Sequence, residues 1–103
     1  MNTLLIDTTD RNEVRIKVKT PHGNFEKVGA REGEADITLL TIEKILREAN
    51  ISLSEIHDIQ IKEGPGSFTG IRIGISIANT LSFVLGKSVN EKTLGEIVEP
   101  VYN

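Results

Sequence analysis

The feature that most limits how this chain folds is a glycine-rich run, Gly64-Pro65-Gly66-Ser67-Phe68-Thr69-Gly70-Ile71-Arg72-Ile73-Gly74. It follows a short apolar alternation and precedes a long apolar segment. Glycine permits positive φ and close approach of the backbone, and Ser67 or Thr69 can cap the first free amides of a helix. Residues 64–69 are therefore predicted to be a tight structural loop between a strand and a helix.

This run fits neither of two standard phosphate-binding loops. A P-loop requires a lysine after its second glycine, and no lysine follows here. In the Gly-x-Gly-x-x-Gly fingerprint of dinucleotide-binding proteins, Thr69 stands where the third glycine belongs. The structural interpretation, a turn followed by a helix cap, is therefore favoured over phosphate binding.

Hydrophobic periodicity predicts an α/β fold. The chain has 103 residues, enough for one domain with a core. Strand patterns cover 3–7, 13–19, 25–30, 58–62 and 87–90, and helical patterns cover 36–49, 70–86 and 93–99. The first three strands form an antiparallel meander, and a strand–helix–strand link implies parallel pairing with a right-handed crossover. We predict one domain over residues 1–103, with a mixed five-stranded sheet and two main helices.

Composition and charge narrow the function classes. The net charge is −3, whereas a protein that grips phosphate backbones by itself is usually basic. The chain has no cysteine, which excludes disulfides and cysteine-ligated metals and fits a cytoplasmic location. The apolar stretch 71–85 is shorter than the roughly 20 residues of a membrane span and contains Arg72, so no membrane association is predicted.

The second predicted helix is more apolar than one small sheet can cover. Arg72 is the only charged residue between 64 and 86, although a surface helix usually has a polar face. Small residues recur at every fourth position, where another helix can approach closely. We predict a partner interface that consists of Gly70, Ile71, Gly74, Ile75, Ala78 and Ser82, extended by Ile37 and Leu40 of the first helix. Leu39 is assigned to the core-facing side. The alternative is that the small-residue stripe packs on the domain's own sheet.

The end of the first strand, Asp7-Thr8-Thr9, offers either a degenerate nucleotide site or only a turn. In actin-like ATPases an aspartate here, followed by a Gly/Thr turn, meets the phosphates and magnesium of the nucleotide. This chain has no glycine in that turn, and an aspartate commonly caps its own turn through Asx-type hydrogen bonds. The turn interpretation is favoured.

An enzyme alternative brings three carboxylates together. Ribonuclease H-like nucleases have metal-binding carboxylates on the first strand, on the first helix and at the end of the fourth strand. The residues at these places here are Asp7, Glu43 or Glu48, and Glu63. Such a cluster can hold two magnesium ions for attack on phosphodiesters or for phosphoryl transfer. Acidic residues on a helix more often form a solvated face, and the two histidines are isolated in sequence. The main prediction therefore contains no catalytic residue and no metal site.

The chain resembles the TsaB (YeaZ) family over most of its length. The segments with this resemblance are 64–86, Ser52-Leu53-Ser54-Glu55-Ile56, Leu4-Leu5-Ile6-Asp7-Thr8-Thr9 and Thr93-Leu94. The resemblance implies a ribonuclease H-like lobe of the actin-like ATPase superfamily. It also implies that the chain is a non-catalytic subunit of the proteins that form threonylcarbamoyladenosine in tRNA.

The resemblance implies partners as well. These are a TsaD-like transferase and a TsaE-like ATPase, or a second copy of the chain, bound through the first two helices. Contact with tRNA is expected only indirectly, and ATP and magnesium only at the partner or at a shared interface. A homodimeric structural remnant is a further hypothesis.

Two departures limit what the resemblance implies. Family members usually have two lobes, and this chain corresponds to the first, so contacts of a second lobe do not carry over. Many members have a His-Ser pair before the first helix, where this chain has Glu34-Ala35.

Overall fold

The computed structural model describes residues 1–31 and 37–90. Within these residues the elements are β1 (Thr3–Asp7), β2 (Glu13–Thr20), β3 (Gly23–Ala30), α1 (Ile37–Ala49), a 3₁₀ turn (Leu53–Glu55), β4 (Asp58–Ile61) and α2 (Phe68–Leu85). The element types and order agree with the sequence prediction up to residue 86. The predicted start of the first helix at Asp36, the Glu34-Ala35 pair and the predicted third helix at 93–99 lie outside the described residues.

The four strands form a mixed sheet in the order β3-β2-β1-β4. β1 pairs antiparallel with β2 and parallel with β4, where Leu4 is aligned with Ile59. The parallel pairing of β1 with β4 across α1 confirms the expected strand–helix–strand unit. The mixed sheet of antiparallel meander and parallel strand is therefore as predicted.

The predicted fifth strand at 87–90 is not formed as a strand in the described residues. It is reduced to one parallel bridge between Val89 and Ile59. Asn90 adopts a left-handed conformation with φ 52°. Its side-chain amide then donates to the Ile61 carbonyl and its side-chain oxygen accepts from the Ile61 amide. The asparagine side chain thus takes the place of further backbone pairing at this edge.

One face of the sheet is buried and the other is open among the described residues. Alternate strand residues point to opposite faces. The buried face consists of Leu4, Ile6, Val14, Ile16, Val18, Ile59 and Ile61. All of these side chains except Val14 share one core with Ile42 and Ile45 of α1 and Ile71 and Ile75 of α2, so both helices cover the same face. The opposite face has polar side chains such as Arg15 and Lys17, which both pair with Glu26.

The side of α1 that meets the sheet differs from the prediction at Leu39. Leu39 is 49% exposed, whereas Thr38 and Thr41 are buried. The approach of α1 to β3 is close, because a Cβ at Gly29 would overlap the Thr41 hydroxyl and lie 2.9 Å from a side-chain carbon of Ile37. The Thr41 hydroxyl is satisfied by donating to the Ile37 carbonyl at 2.6 Å. Thr41 therefore fits a narrow space beside Gly29 that a leucine would overfill.

The ends of α2 are fixed by a serine and a glycine. Ser67 is the N-cap and accepts a hydrogen bond from the Gly70 amide at 3.2 Å. Gly86 ends the helix in the left-handed conformation, with φ 66°, which glycine adopts without steric cost. Of the two predicted cap residues, Ser67 has this role and Thr69 lies inside the first turn.

Candidate functional site

The glycine-rich loop lies directly against the end of β1. The Ser67 amide donates to the Thr9 carbonyl at 2.7 Å. A Cβ at Gly66 would overlap that same carbonyl oxygen, so only glycine allows the two backbones to come this close. Of the residues predicted as a structural loop, 64–67 precede α2 and position its start on the first strand, whereas Phe68 and Thr69 are already helical.

Thr8, at the end of β1, packs on the small-residue stripe of α2. A Cβ at Gly70 would overlap the Thr8 carbonyl oxygen, and one at Gly74 would overlap the Thr8 hydroxyl and lie 3.0 Å from the Thr8 Cβ. Arg31 closes the junction from the other side, where its guanidinium donates to the Thr8 carbonyl at 2.7 Å. The glycines at 70 and 74 are therefore required by the chain's own fold.

This packing corrects the predicted partner interface on α2. Six of the predicted interface residues are buried in the domain, namely Gly70, Ile71, Gly74, Ile75, Ala78 and Ser82. A partner cannot reach them without opening the fold. The stripe packs on the domain's own sheet, which was the alternative interpretation of the sequence. Of the two residues predicted on α1, Ile37 is half-buried and Leu40 is 45% exposed.

The outer side of the helical layer exposes large apolar side chains. We call this set the outer helical surface; it consists of Leu39 and Leu40 of α1 and Phe68, Ile73, Phe83 and Val84 of α2. The exposed fraction reaches 88% at Phe83 and 71% at Val84. Contiguous exposed apolar patches commonly mark interaction sites. The sequence signal for this surface is the spacing of Ile73, Ile77 and Val84 by four and seven residues, which places them on one side of a helix.

By length and composition alone, α2 is apolar enough to cross a membrane, and 33% of that segment is buried in the domain. Core helices of soluble proteins pass the same test. Here the buried third packs on β1 and β4. The remaining apolar residues of α2 make up most of the outer helical surface.

The predicted nucleotide residues Asp7, Thr8 and Thr9 do not form one exposed group. The Asp7 carboxylate accepts from the Thr9 amide at 3.0 Å and from the Thr9 hydroxyl at 2.6 Å. This is the Asx-type turn that was favoured. Thr8 is fully buried beneath α2, so only Asp7 and Thr9 line the neighbouring cavity of about 470 Å³.

The turn role of Asp7 predicts how substitutions there affect stability. Asp7→Asn retains a side-chain oxygen acceptor, so we expect its free energy of unfolding to stay within about 0.5 kcal/mol of the wild type. Asp7→Ala removes both hydrogen bonds and should cost about 1–2 kcal/mol. Urea unfolding of the two variants measures this difference. Equal stabilities would contradict the turn role.

The carboxylates of the nuclease alternative are only partly brought together. Asp7 and Glu63 line one cavity of about 480 Å³ on the open face of the sheet. Glu43 and Glu48 lie on α1. Glu43 pairs with Arg47 of the same helix at 2.6 Å, and Glu48 pairs with Lys27 of β3 at 2.7 Å. Because α1 covers the opposite face of the sheet, neither glutamate joins Asp7. Within residues 1–31 and 37–90, no three Asp, Glu, His or Cys side chains form a group that could hold a metal ion.

Comparison with known proteins gives consistent matches. The structure resembles YeaZ from Pseudomonas aeruginosa with a TM-score of 0.79 and 27% identity, over 86% of this chain. The sequence is 48% identical over 44 residues to the tRNA threonylcarbamoyladenosine biosynthesis protein TsaB of Buchnera aphidicola. Residues 29–91, more than half of the chain, match the family model of TsaD, tRNA N6-adenosine threonylcarbamoyltransferase. The chain belongs to this family, among its TsaB/YeaZ members.

A TsaD protein is among the similar sequences too. The tRNA N6-adenosine threonylcarbamoyltransferase of Listeria monocytogenes is 34% identical over 62 residues, which is 60% of this chain. The TsaB/YeaZ chain described here spans 43% of the P. aeruginosa YeaZ chain, 21% of the Buchnera TsaB and 18% of the Listeria protein. The likeness therefore concerns one part of each relative.

Proposed function

We propose that this chain is a non-catalytic accessory subunit in the formation of threonylcarbamoyladenosine in tRNA, and that it binds a TsaD-like transferase through its outer helical surface. The family assignment supports the pathway, because the similar TsaB and TsaD proteins are both named for this modification. A cytoplasmic setting follows from the same pathway.

The observation on which the docking proposal rests is the exposure of large apolar residues on both helices. Ile73 is 40% exposed, and Phe83 and Val84 are the most exposed apolar residues of α2. Burying one such side chain contributes roughly 1.5–3 kcal/mol. Four or five of them can form the apolar centre of an interface, around which polar side chains form the rim.

The Asp7 carboxylate and the carbonyls of Thr8 and Thr9 accept hydrogen bonds within the fold, which agrees with an accessory role. The Asp7 carboxylate caps its own turn, and Thr8 packs beneath α2. The glycine-rich loop packs on Thr9, whose carbonyl accepts a hydrogen bond from the Ser67 amide. In this proposal ATP, magnesium and a TsaE-like ATPase bind at the transferase or at a shared surface, and tRNA is contacted through the partner.

The test is the absolute mass in solution, measured by light scattering coupled to size exclusion. The chain is measured alone and after mixing with the TsaD-like protein of the same organism. We expect a mixed complex with one copy of each chain, and a self-associated species in the absence of the partner. If the mixture elutes as two separate proteins at micromolar concentration, the proposed docking is wrong.

A further inference from the structure

Arg72 is the one charged side chain of α2, and it is exposed. Its guanidinium lies over the ring of Phe68, 5.5 Å from the ring centroid. Arg72 forms no ion pair in the part of the chain that the structure describes. The ion pairs found there join residues of β2, β3 and α1. The stacking fixes where the positive charge points, and the charge remains available to a carboxylate.

Arg72 lies beside residues of the outer helical surface on α2. It lies four residues after Phe68 and next to Ile73, and Ser76 and Phe83 continue the same row. A partner that covers Phe68 and Ile73 also removes Arg72 from water. A charge that is desolvated without a partner charge is strongly unfavourable, so a surface that offers an acidic side chain at this point binds more tightly than one that does not.

A second copy of this chain does not offer one through α2. The segment Phe68–Leu85 contains no Asp or Glu, so in any register of α2 on α2 each Arg72 meets either neutral side chains or the other Arg72. The exposed carboxylates of α1, Glu43 and Glu48, are already bound to Arg47 and Lys27. A symmetric dimer repeats the same contact twice, so an α2-on-α2 contact between the described residues of two copies leaves both arginines without a carboxylate.

We propose that Arg72 determines partner specificity: it selects a different chain, whose apolar helix face presents a carboxylate opposite Arg72, over a second copy of this chain. An unpaired charge against the wrong partner is an effective way to discriminate between similar apolar surfaces. This inference rests on the proposed function, because it assigns the chemistry of the partner at the same outer helical surface.

The first experiment compares binding of Arg72→Gln and the wild type to the TsaD-like protein by calorimetry at 50 and 500 mM NaCl. We expect Arg72→Gln to bind roughly tenfold or more weakly at low salt, and Arg72→Glu more weakly still. High salt should weaken the wild-type complex and affect the Arg72→Gln complex less. Lys19→Gln removes one positive charge from the open face of the sheet and serves as the matched control with unchanged affinity.

The second experiment measures self-association of the same proteins by sedimentation equilibrium without any partner. Removing the unpaired charge should make Arg72→Gln self-associate more tightly than the wild type, by about threefold or more. If Arg72→Gln binds the TsaD-like protein as tightly as the wild type does, the specificity role is wrong and the docking proposal stands. If the wild type does not bind at all, the docking proposal fails, and self-association no tighter in Arg72→Gln overturns the specificity role as well.

Discussion

Gly74→Leu is expected to unfold this domain or to lower its free energy of unfolding by more than about 3 kcal/mol. The first side-chain carbon alone would overlap the Thr8 hydroxyl and lie 3.0 Å from both the Cβ and the Cγ2 of Thr8. Thr8 is fully buried and its carbonyl is held by Arg31, so it has no space into which to move. Far-UV circular dichroism during urea unfolding measures the loss.

In the smaller substitution Gly74→Ala, a gain in helix propensity opposes the steric cost of overpacking. Alanine is favoured over glycine within a helix by about 1 kcal/mol, whereas overpacking a core typically costs 1–3 kcal/mol. Because the overlap already occurs at Cβ, we expect the steric cost to exceed the gain in helix propensity, and Gly74→Ala to be destabilised. A stabilised variant would contradict the close contact between Thr8 and α2.

Two further variants show whether Thr8 is the cause. In Thr8→Ala/Gly74→Ala the overlapping hydroxyl is absent, so the double variant should be more stable than the two single effects predict, by about 1 kcal/mol or more. The Thr8 hydroxyl has no hydrogen-bond partner among the described residues, which makes its removal a clean test. Ser76→Leu places the same leucine on the exposed side of α2 and should change stability by no more than about 0.5 kcal/mol.

This contact also explains what could and what could not be predicted from the sequence. The short apolar run near the start of the chain predicted β1 with its observed bounds of Thr3–Asp7, and the glycine-rich run correctly marked a strand-to-helix junction. Such signals are local, because each depends on neighbouring residues only. The mixed sheet followed from connection rules that most folds obey.

The sequence alone does not predict which side of α2 packs on the sheet. Periodicity identifies residues that share a side of a helix, but α2 has one apolar side with Ile71 and Ile75 and another with Ile73 and Val84. Thr8 decides between them, since its side chain fits only against glycine. That contact joins residues 66 positions apart in sequence, and no local pattern reveals it. The same limit applies to Leu39, which lies outside because Gly29 brings β3 close to Thr41.

Ile73→Asp is expected to abolish association and leave the fold intact. Ile73 is 40% exposed in the isolated chain, so the carboxylate remains hydrated there and the free energy of unfolding should change by no more than about 1 kcal/mol. In a complex the same carboxylate would be buried among apolar side chains. An unpaired charge in that setting costs several kcal/mol, which weakens binding by more than about 100-fold.

Light scattering and calorimetry with the TsaD-like protein measure this effect, and Val28→Asp is the matched control. Val28 is 46% exposed and lies on β3, aligned with Arg15 on the open face of the sheet. The two substitutions introduce the same charge at similarly exposed β-branched residues on opposite faces of the domain. If Val28→Asp abolishes association and Ile73→Asp does not, the partner binds the open sheet face, where Asp7 and Glu63 line a cavity. Loss of association in Ile73→Asp alone assigns docking to the outer helical surface, since only that surface contains the altered residue.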